Sequence, residues 1–400
     1  MQIYCPECNA QEGLSPERWR CDCGGAWEPV ERADFDPAHI DASDFSIWRY
    51  RRLFGLAFET PGIRLGTGWT PLLPLTFSGR EVLFKLEYMA PTASFKDRGT
   101  AVMINILAHQ GVNHVADDSS GNAGASVAAY AARAGMRAEI FVPAYASPSK
   151  RAQIAVYGAE VRPIPGPRAN AKWAAWEAAE RGAILASHAY HPGFLVGQQS
   201  VAWELWEQLD RRAPDWYVVP VGQGLHLLGV WLGFRRLRAA GLVERLPRLV
   251  AVQAATLAPL CHAFEANLET VPAVEPTAPN VAEGPVLSVA EGPVLSVAEG
   301  PVLSVAEGPV LSVAEGLAIA EPVRGRRLLQ ALRDSGGTCM AVQDDATLAA
   351  QRQLARLGLY VEPTSATAVA ALRVVLQQAA PDETIVVPLT GSGLKGSPRV

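Results

Sequence analysis

Pro91-Thr92-Ala93-Ser94-Phe95-Lys96-Asp97-Arg98-Gly99 joins a strand-like run, Val82-Leu83-Phe84-Lys85-Leu86, to a helix-like run over Gly99–Gln110. The same order repeats downstream. His114–Asp117 reads as a strand, Ala123–Ala134 as a helix stopped by Gly135, and Ala138–Val142 as a strand. A helix over Ser147–Tyr157 and a strand over Glu160–Ile164 follow. Strands that alternate with helices of this length predict a parallel sheet covered on its faces by helices. A second series runs from about 195 to 260, with strands at Trp216–Val221 and Leu249–Ala254. A helix over Ala366–Ala379 and a strand over Thr384–Leu389 close the chain. The expected fold class is α/β with two open parallel-sheet domains. Residues 86–189 form the smaller one, and 31–85 with 190–400 the larger.

Residues 1–30 stand apart. Cys5-Pro6-Glu7-Cys8 and Cys21-Asp22-Cys23-Gly24-Gly25 form two short knuckles, each able to aim two thiolates at one tetrahedral Zn²⁺. Gly24-Gly25 permits the tight turn. Four thiolates leave no open position for water, so a zinc-ribbon-like module with a structural ion is expected at Cys5, Cys8, Cys21 and Cys23. Unrelated reduced cysteines, or a redox Cys5–Cys8 pair, are the alternatives. Cys261 and Cys339 read as ordinary thiols.

The net charge of −5 and the pI near 5.9 argue against a nucleic-acid partner. No apolar run reaches the length of a membrane span, and no secretory leader is visible, so a cytoplasmic protein is expected. The octapeptide VAEGPVLS occurs four times unchanged over 281–312, followed by VAEGLAIA at 313–320. Gly-Pro every eight residues excludes one long helix. We read the array as a recent duplication inserted in a surface loop before a helix at Arg324–Asp334, because loop closure costs little for long insertions.

Four stretches could carry chemistry. Lys96 sits at a helix start, where positive potential and Arg98 beside it would lower the amine's pKa; a solvated turn lysine is the commoner reading of such a residue. Ser119-Ser120-Gly121-Asn122-Ala123-Gly124-Ala125-Ser126 follows a strand and opens a helix, which lets a planar ligand approach the backbone. Ordinary capping explains it too, for Ser126 above all. Val221-Gly222-Gln223-Gly224-Leu225-His226 is a glycine turn between strand and helix that could wrap a phosphate. Thr390-Gly391-Ser392-Gly393 ends the last strand, on the side where open α/β sheets bind ligands.

Taken together, GTGWTPL at 66–72, PTASFKDRG at 91–99, SSGNAGASVAAYAARAG at 119–135, KRAQIAVYGAEV at 150–161, VEPTSA at 361–366 and TGSGLK at 390–395 resemble the fold type II pyridoxal-phosphate enzymes. That is the tryptophan synthase beta-like fold. Among these enzymes the sequence is most similar to the threonine synthases, which share the N-terminal cysteine pairs and the GLAIAEPVRGRR-like segment at 316–327. The resemblance implies a lyase of amino-acid biosynthesis that uses pyridoxal 5′-phosphate. It would convert O-phosphohomoserine and water to L-threonine and phosphate. It implies Lys96 as the Schiff-base lysine and general base, with Phe95 beside the ring and Asn122 at the ring hydroxyl. Gly222, Gln223, Gly224, Leu225 and His226 would hold the cofactor phosphate, and Thr390 would face the pyridine nitrogen. Ser94, Ser119 and Ser120 would contact substrate.

The chain departs from the threonine synthases in two places. The phosphate loop reads GQGLHLLG in place of a GNGG-like run. The stretch after YGAEV reads Gly166-Pro167-Arg168-Ala169-Asn170-Ala171-Lys172, so Arg168 and Lys172 could stand in for the missing cation or form a solvated helix face. A threonine or serine ammonia-lyase of the same fold, and a non-catalytic zinc-ribbon binding protein, are the competing readings. A homodimer acting on a small amino acid, without nucleic acid or membrane, is expected.

Overall fold

The computed structural model describes residues 1–58, 60–274 and 312–396. The octapeptide array, apart from Ser312, lies outside the described residues.

Strands β1 (Gln2–Tyr4), β2 (Gln11–Gly13) and β3 (Glu28–Pro29) form a small antiparallel sheet in the order β2-β1-β3. β4 (Leu72–Phe77) and β5 (Arg80–Lys85) pair as an antiparallel hairpin. β6 (His114–Asp117), β7 (Arg137–Pro143), β8 (Glu160–Ile164) and β9 (Ile184–Leu185) make a parallel sheet ordered β8-β7-β6-β9. β10 (Trp216–Pro220), β11 (Arg248–Ala254), β12 (Thr338–Val342) and β13 (Ile385–Pro388) return to the hairpin's sheet, ordered β12-β11-β10-β13-β5-β4. All of its pairings except the β4–β5 edge are parallel.

The chemistry of the strands matches their places. β10 and β13 are apolar and buried along their whole length, as central parallel strands covered on both faces must be. β4, at the edge, alternates exposed and half-buried positions. One apolar core lies on each face of the large sheet. Trp203, Trp231 and Leu328 belong to one, and Val218, Val250 and Val387 to the other.

The Asn122–Ala134 helix ends as read, with Gly135 at φ +69°. The helix read as Gly99–Gln110 begins earlier, at Lys96, because Phe95 already has helical backbone angles. The single helix read over Ala366–Ala379 is two, Pro363–Ala370 and Leu372–Gln378. Proline at the first helical position suits that earlier start. Two predictions are corrected. Cys261 and Cys339 are not separate thiols; they form a disulfide across a sequence separation of 78 residues. Ser126 caps nothing: it lies inside its helix and donates to Asp97 at 2.6 Å.

The N-terminal module is fastened to the body. Trp19 packs on Trp176 and Tyr190, with ring centroids 4.8 and 5.0 Å away. Arg324 donates to the Trp27 carbonyl at 2.8 Å, and Arg327 to Glu28 at 3.0 Å. Among the described residues, no helix is long and apolar enough to cross a membrane.

Candidate active site

The loop that ends in Lys96 is held from beneath by a buried lattice of charge. Arg98 donates to both Glu87 oxygens at 2.7 Å and to Glu204 at 2.8 and 3.0 Å. Lys85 donates to the Thr70 carbonyl at 2.6 Å, to Gln208 at 2.7 Å, and to Glu204. Backbone N–H groups of Trp69 and Thr70 close on the same Glu204 carboxylate at 2.8 and 2.7 Å. Burial alone would raise the Glu204 pKa, but Arg98 and Lys85 pull it down to about 2. The GTGWTPL and KDRG stretches therefore meet for a structural reason. On the other side, Asp97 accepts from Thr92 N–H at 2.7 Å, Thr92 hydroxyl at 2.6 Å and Ser126, which folds 92–97 into a tight corner.

Lys96 itself makes no hydrogen bond or ion pair among the described residues; its ammonium rests 3.9 Å from the Phe95 ring centroid. Burial lowers its pKa to about 8, against the pull of Glu362 and Asp117 and with help from Lys395. The sequence expectation named Arg98 as the cation responsible. The structure corrects this: Arg98 is spent on Glu87 and Glu204, and Lys395 takes that part.

Around this amine the other candidates assemble. Phe95 donates its N–H to the Thr390 carbonyl at 3.0 Å, and Ser94 bridges Gly391, which joins the lysine loop to the end of β13. The Thr390 hydroxyl shares a 2.9 Å hydrogen bond with Ser365. Asn122, first residue of its helix, donates to both Glu362 oxygens at 2.9 and 3.1 Å. Gly121 N–H donates to Ser119 Oγ at 3.3 Å, so that hydroxyl shapes its own loop. Ser120 is half-buried beside it. Ser94 Oγ is buried without a partner.

The glycine turn after β10 needs its glycines. Gly224 has φ +77°, and a Cβ at Gly222 would lie 2.6 Å from the Gly316 carbonyl. Gln223 accepts from Val323 N–H at 3.0 Å. The Leu225–Ala239 helix then starts with Leu225 and His226 buried. The His226 ring is occupied by protein groups on both sides. Its Nδ1 meets Gln198 Oε1 at 3.0 Å and its Nε2 the Tyr217 hydroxyl at 2.7 Å. Burial pushes its pKa down to about 3, so the ring is neutral and packs edge-on against Phe95 at 4.8 Å. It supports the ring beside Lys96; only its backbone N–H remains for the turn.

Arg168 pairs with Asp118 at 3.3 Å. Lys172 lies over Trp176, 4.6 Å from the centroid, on the ring that also carries Arg20 from the N-terminal module. The four N-terminal cysteine sulfurs converge within 4.8 Å of one another. A Cβ at Gly25 would approach Cys5 Sγ to 2.8 Å, which explains that glycine.

Sequence reasoning gave no role to Glu362, Ser365, Gln198, Lys395 or His188. Gln198 donates to the Phe95 carbonyl at 3.1 Å while meeting His226. His188, half-buried with Nδ1 unpartnered, is pushed well below its ordinary pKa by burial and by Lys96. Glu362, Ser365 and Lys395 lie inside stretches already quoted, but a polar residue near a strand end carries no sign of what it faces. A cavity of about 580 Å³ opens between residues 29–33 and the helix bearing Arg235 and Arg236; none of its lining residues belongs to the group around Lys96.

The family described as "Pyridoxal-phosphate dependent enzyme" matches residues 63–391. A threonine synthase of Methanosarcina acetivorans is 31% identical, over 98% of this chain and 92% of that protein. One from Synechocystis is 31% identical over 86% of this chain and 82% of its own length. Among solved structures, maize serine racemase superposes with a TM-score of 0.63 at 22% identity, covering 81% of this chain and 88% of its own. A fungal L-serine ammonia-lyase from Rhizomucor miehei superposes with a TM-score of 0.62 at 21% identity, covering 81% of this chain and 93% of its own. At those identities the superpositions speak for the fold.

Proposed function

Since the chain belongs to the pyridoxal-phosphate dependent enzymes, as a lyase acting on a small amino acid, we propose that it makes L-threonine and phosphate from O-phosphohomoserine and water. The residues fit the cofactor. Lys96 offers a half-buried amine with no hydrogen-bond partner among the described residues, and glycines at 222 and 224 let the turn after β10 close tightly with its N–H groups available. Lys96 would hold the cofactor's aldehyde end, with Phe95 alongside. Backbone N–H groups of Gly222 to His226 would take its phosphate, Asn122 its ring hydroxyl and Thr390 its ring nitrogen. Bound there, the cofactor supplies a conjugated ring that accepts the charge left when a carbon loses a proton.

The chain's own part is positioning and proton transfer. An amine with a pKa of about 8 can exist free near neutrality and can also return a proton, as a base acting at more than one carbon requires. Ser119 and Ser120 would hold the substrate carboxylate at the start of the Asn122–Ala134 helix, where N–H groups face outward. Ser94 Oγ, buried and unpaired, is a further donor for substrate. Asn122 now holds Glu362, so a ring hydroxyl arriving there would compete with that carboxylate.

The observation that carries this reading is the unpartnered Lys96 amine, in a chain matched along almost its whole length by threonine synthases. The test is a substrate panel on cofactor-saturated protein, with phosphate, ammonia and threonine quantified together. Equal amounts of threonine and phosphate from O-phosphohomoserine are expected. Ammonia from threonine or serine, without phosphate release, would overturn the reading.

The N-terminal cluster we assign to one structural Zn²⁺. Thiolates at about 2.3 Å from a tetrahedral ion lie about 3.8 Å apart. The Cys5–Cys23 and Cys8–Cys21 sulfurs are 3.5 Å apart. One zinc per chain by elemental analysis is expected, lost in Cys5→Ser; a metal-free purified protein would refute it.

A further inference from the structure

A substrate with a phosphate at the end of its side chain needs a cation near the amine that works on its α-carbon. Arg168 turns to Asp118 at 3.3 Å and Lys172 to the Trp176 ring at 4.6 Å. The corner at Thr92 offers others. Thr92 lies four residues before Lys96, and its carbonyl accepts from Lys395 Nζ at 2.7 Å and from Gln153 Nε2 at 3.5 Å. Lys150 stands one turn before Gln153 on the Pro148–Ala155 helix, and residues three apart share a face. Two buried donors nearby in sequence, Ser94 Oγ and Arg151 Nε, have no hydrogen-bond partner.

We propose that Lys150 and Lys395 form the subsite for the distal anionic group of the substrate. That group is a phosphate monoester if the reaction proposed above is right, and the proposal rests on that reading for this identity alone. Lys395 spends one of its three N–H donors on a neutral carbonyl and, among the described residues, has no carboxylate within ion-pair distance, so its charge awaits an anion. Lys150 pairs with Glu315, whose side chain is 48% exposed. Pairs with so exposed a partner contribute little to stability. The two ammonium groups are close enough that Lys150 helps burial to lower the pKa of Lys395, and Lys395 in turn lowers that of Lys96. A dianion between them would relieve that repulsion. Both lysines come from stretches, KRAQ at 150–153 and GLK at 393–395, to which the cofactor gives no work.

Inorganic phosphate is the probe, added to cofactor-saturated protein so that the cofactor's own phosphate site is filled. Binding is read by titration calorimetry at pH 7. Wild type is expected to bind phosphate, with affinity lowered at least about tenfold in Lys150→Met and in Lys395→Met, and unchanged in Arg168→Met. Lys150 is partly exposed, so its variant decides the matter if Lys395→Met fails to fold. The proposal is overturned if wild type does not bind phosphate, if Lys150→Met binds it undiminished, or if Arg168→Met alone loses it. A wild type that binds phosphate through these lysines, yet makes no threonine, would overturn the reaction and leave the subsite standing.

Discussion

Lys85 and Lys96 are eleven residues apart in the chain and are used in opposite ways. Lys85, at the end of β5, is fully buried and every donor has a partner: the Thr70 carbonyl, the Gln208 amide oxygen and the Glu204 carboxylate. Lys96, at the start of the next helix, has an aromatic ring and nothing to bond. Burial acts against the charge on both. At Lys85 burial still lowers the pKa, but a carboxylate and two dipoles offset part of the cost and occupy every donor, so the lysine becomes part of the scaffold. At Lys96 the cost is left standing, which lowers the amine's pKa to about 8 and keeps its lone pair within reach of an electrophile. Reactivity follows from what the neighbours withhold.

The largest effect expected from breaking this contrast is on activity. Lys96→Ala should lower turnover by three or more orders of magnitude, about 4 kcal/mol or more in barrier. Borohydride reduction of the wild-type holoenzyme should fix the cofactor on Lys96 and leave Lys85 unmodified by peptide mass spectrometry. An adduct on Lys85 would erase the distinction. Next comes the scaffold itself. Glu204→Gln leaves Lys85 and Arg98 buried with less countercharge, and such losses cost about 3–5 kcal/mol. Urea unfolding should show that drop for Glu204→Gln and no such loss for Lys96→Ala.

A smaller effect separates the two by pH. The Lys96 ammonium is penalised in the folded apoprotein, whereas an unfolded lysine titrates near 10.4. Below about pH 8 the folded protein must carry that penalty, at most about 3 kcal/mol. As pH rises from about 8 to about 10.4 the unfolded chain holds the proton more tightly than the folded one, and the penalty is relieved. Lys96→Met should therefore be more stable than wild-type apoprotein below pH 8, and that advantage should vanish above about 10.4. A constant difference across that range would show that Lys96 is solvated.

Much of the scaffold was legible because it rests on local signals. Gly135 stops a helix wherever a positive φ is needed, and β10 and β13 announce central strands by being apolar throughout. The helix start at Lys96 and the split helix at Ala371 left no mark in residue type, and the Cys261–Cys339 bond was not legible because it joins residues 78 positions apart. The site divides in the same manner. Lys96, Asn122 and Thr390 stand out as motif residues, but Glu362 meets Asn122 across 240 positions. His226 shows how a motif position can mislead. A histidine opening a helix after a glycine turn invites a ligand, yet Tyr217 and Gln198 take both of its nitrogens.

By itself the sequence determined the α/β alternation, the cysteine cluster, the glycine turns and the lysine on which the family's chemistry depends. These follow from residue type and short spacing, which fix backbone conformation and donor identity. Only the tertiary structure decided which charges are answered and which are not: Arg98 is bound up with Glu87 and Glu204, Lys395 reaches the Thr92 carbonyl, and Lys96 has no hydrogen-bond partner among the described residues. Coulomb energies and desolvation depend on distance through the folded interior, and separation along the chain does not set that distance.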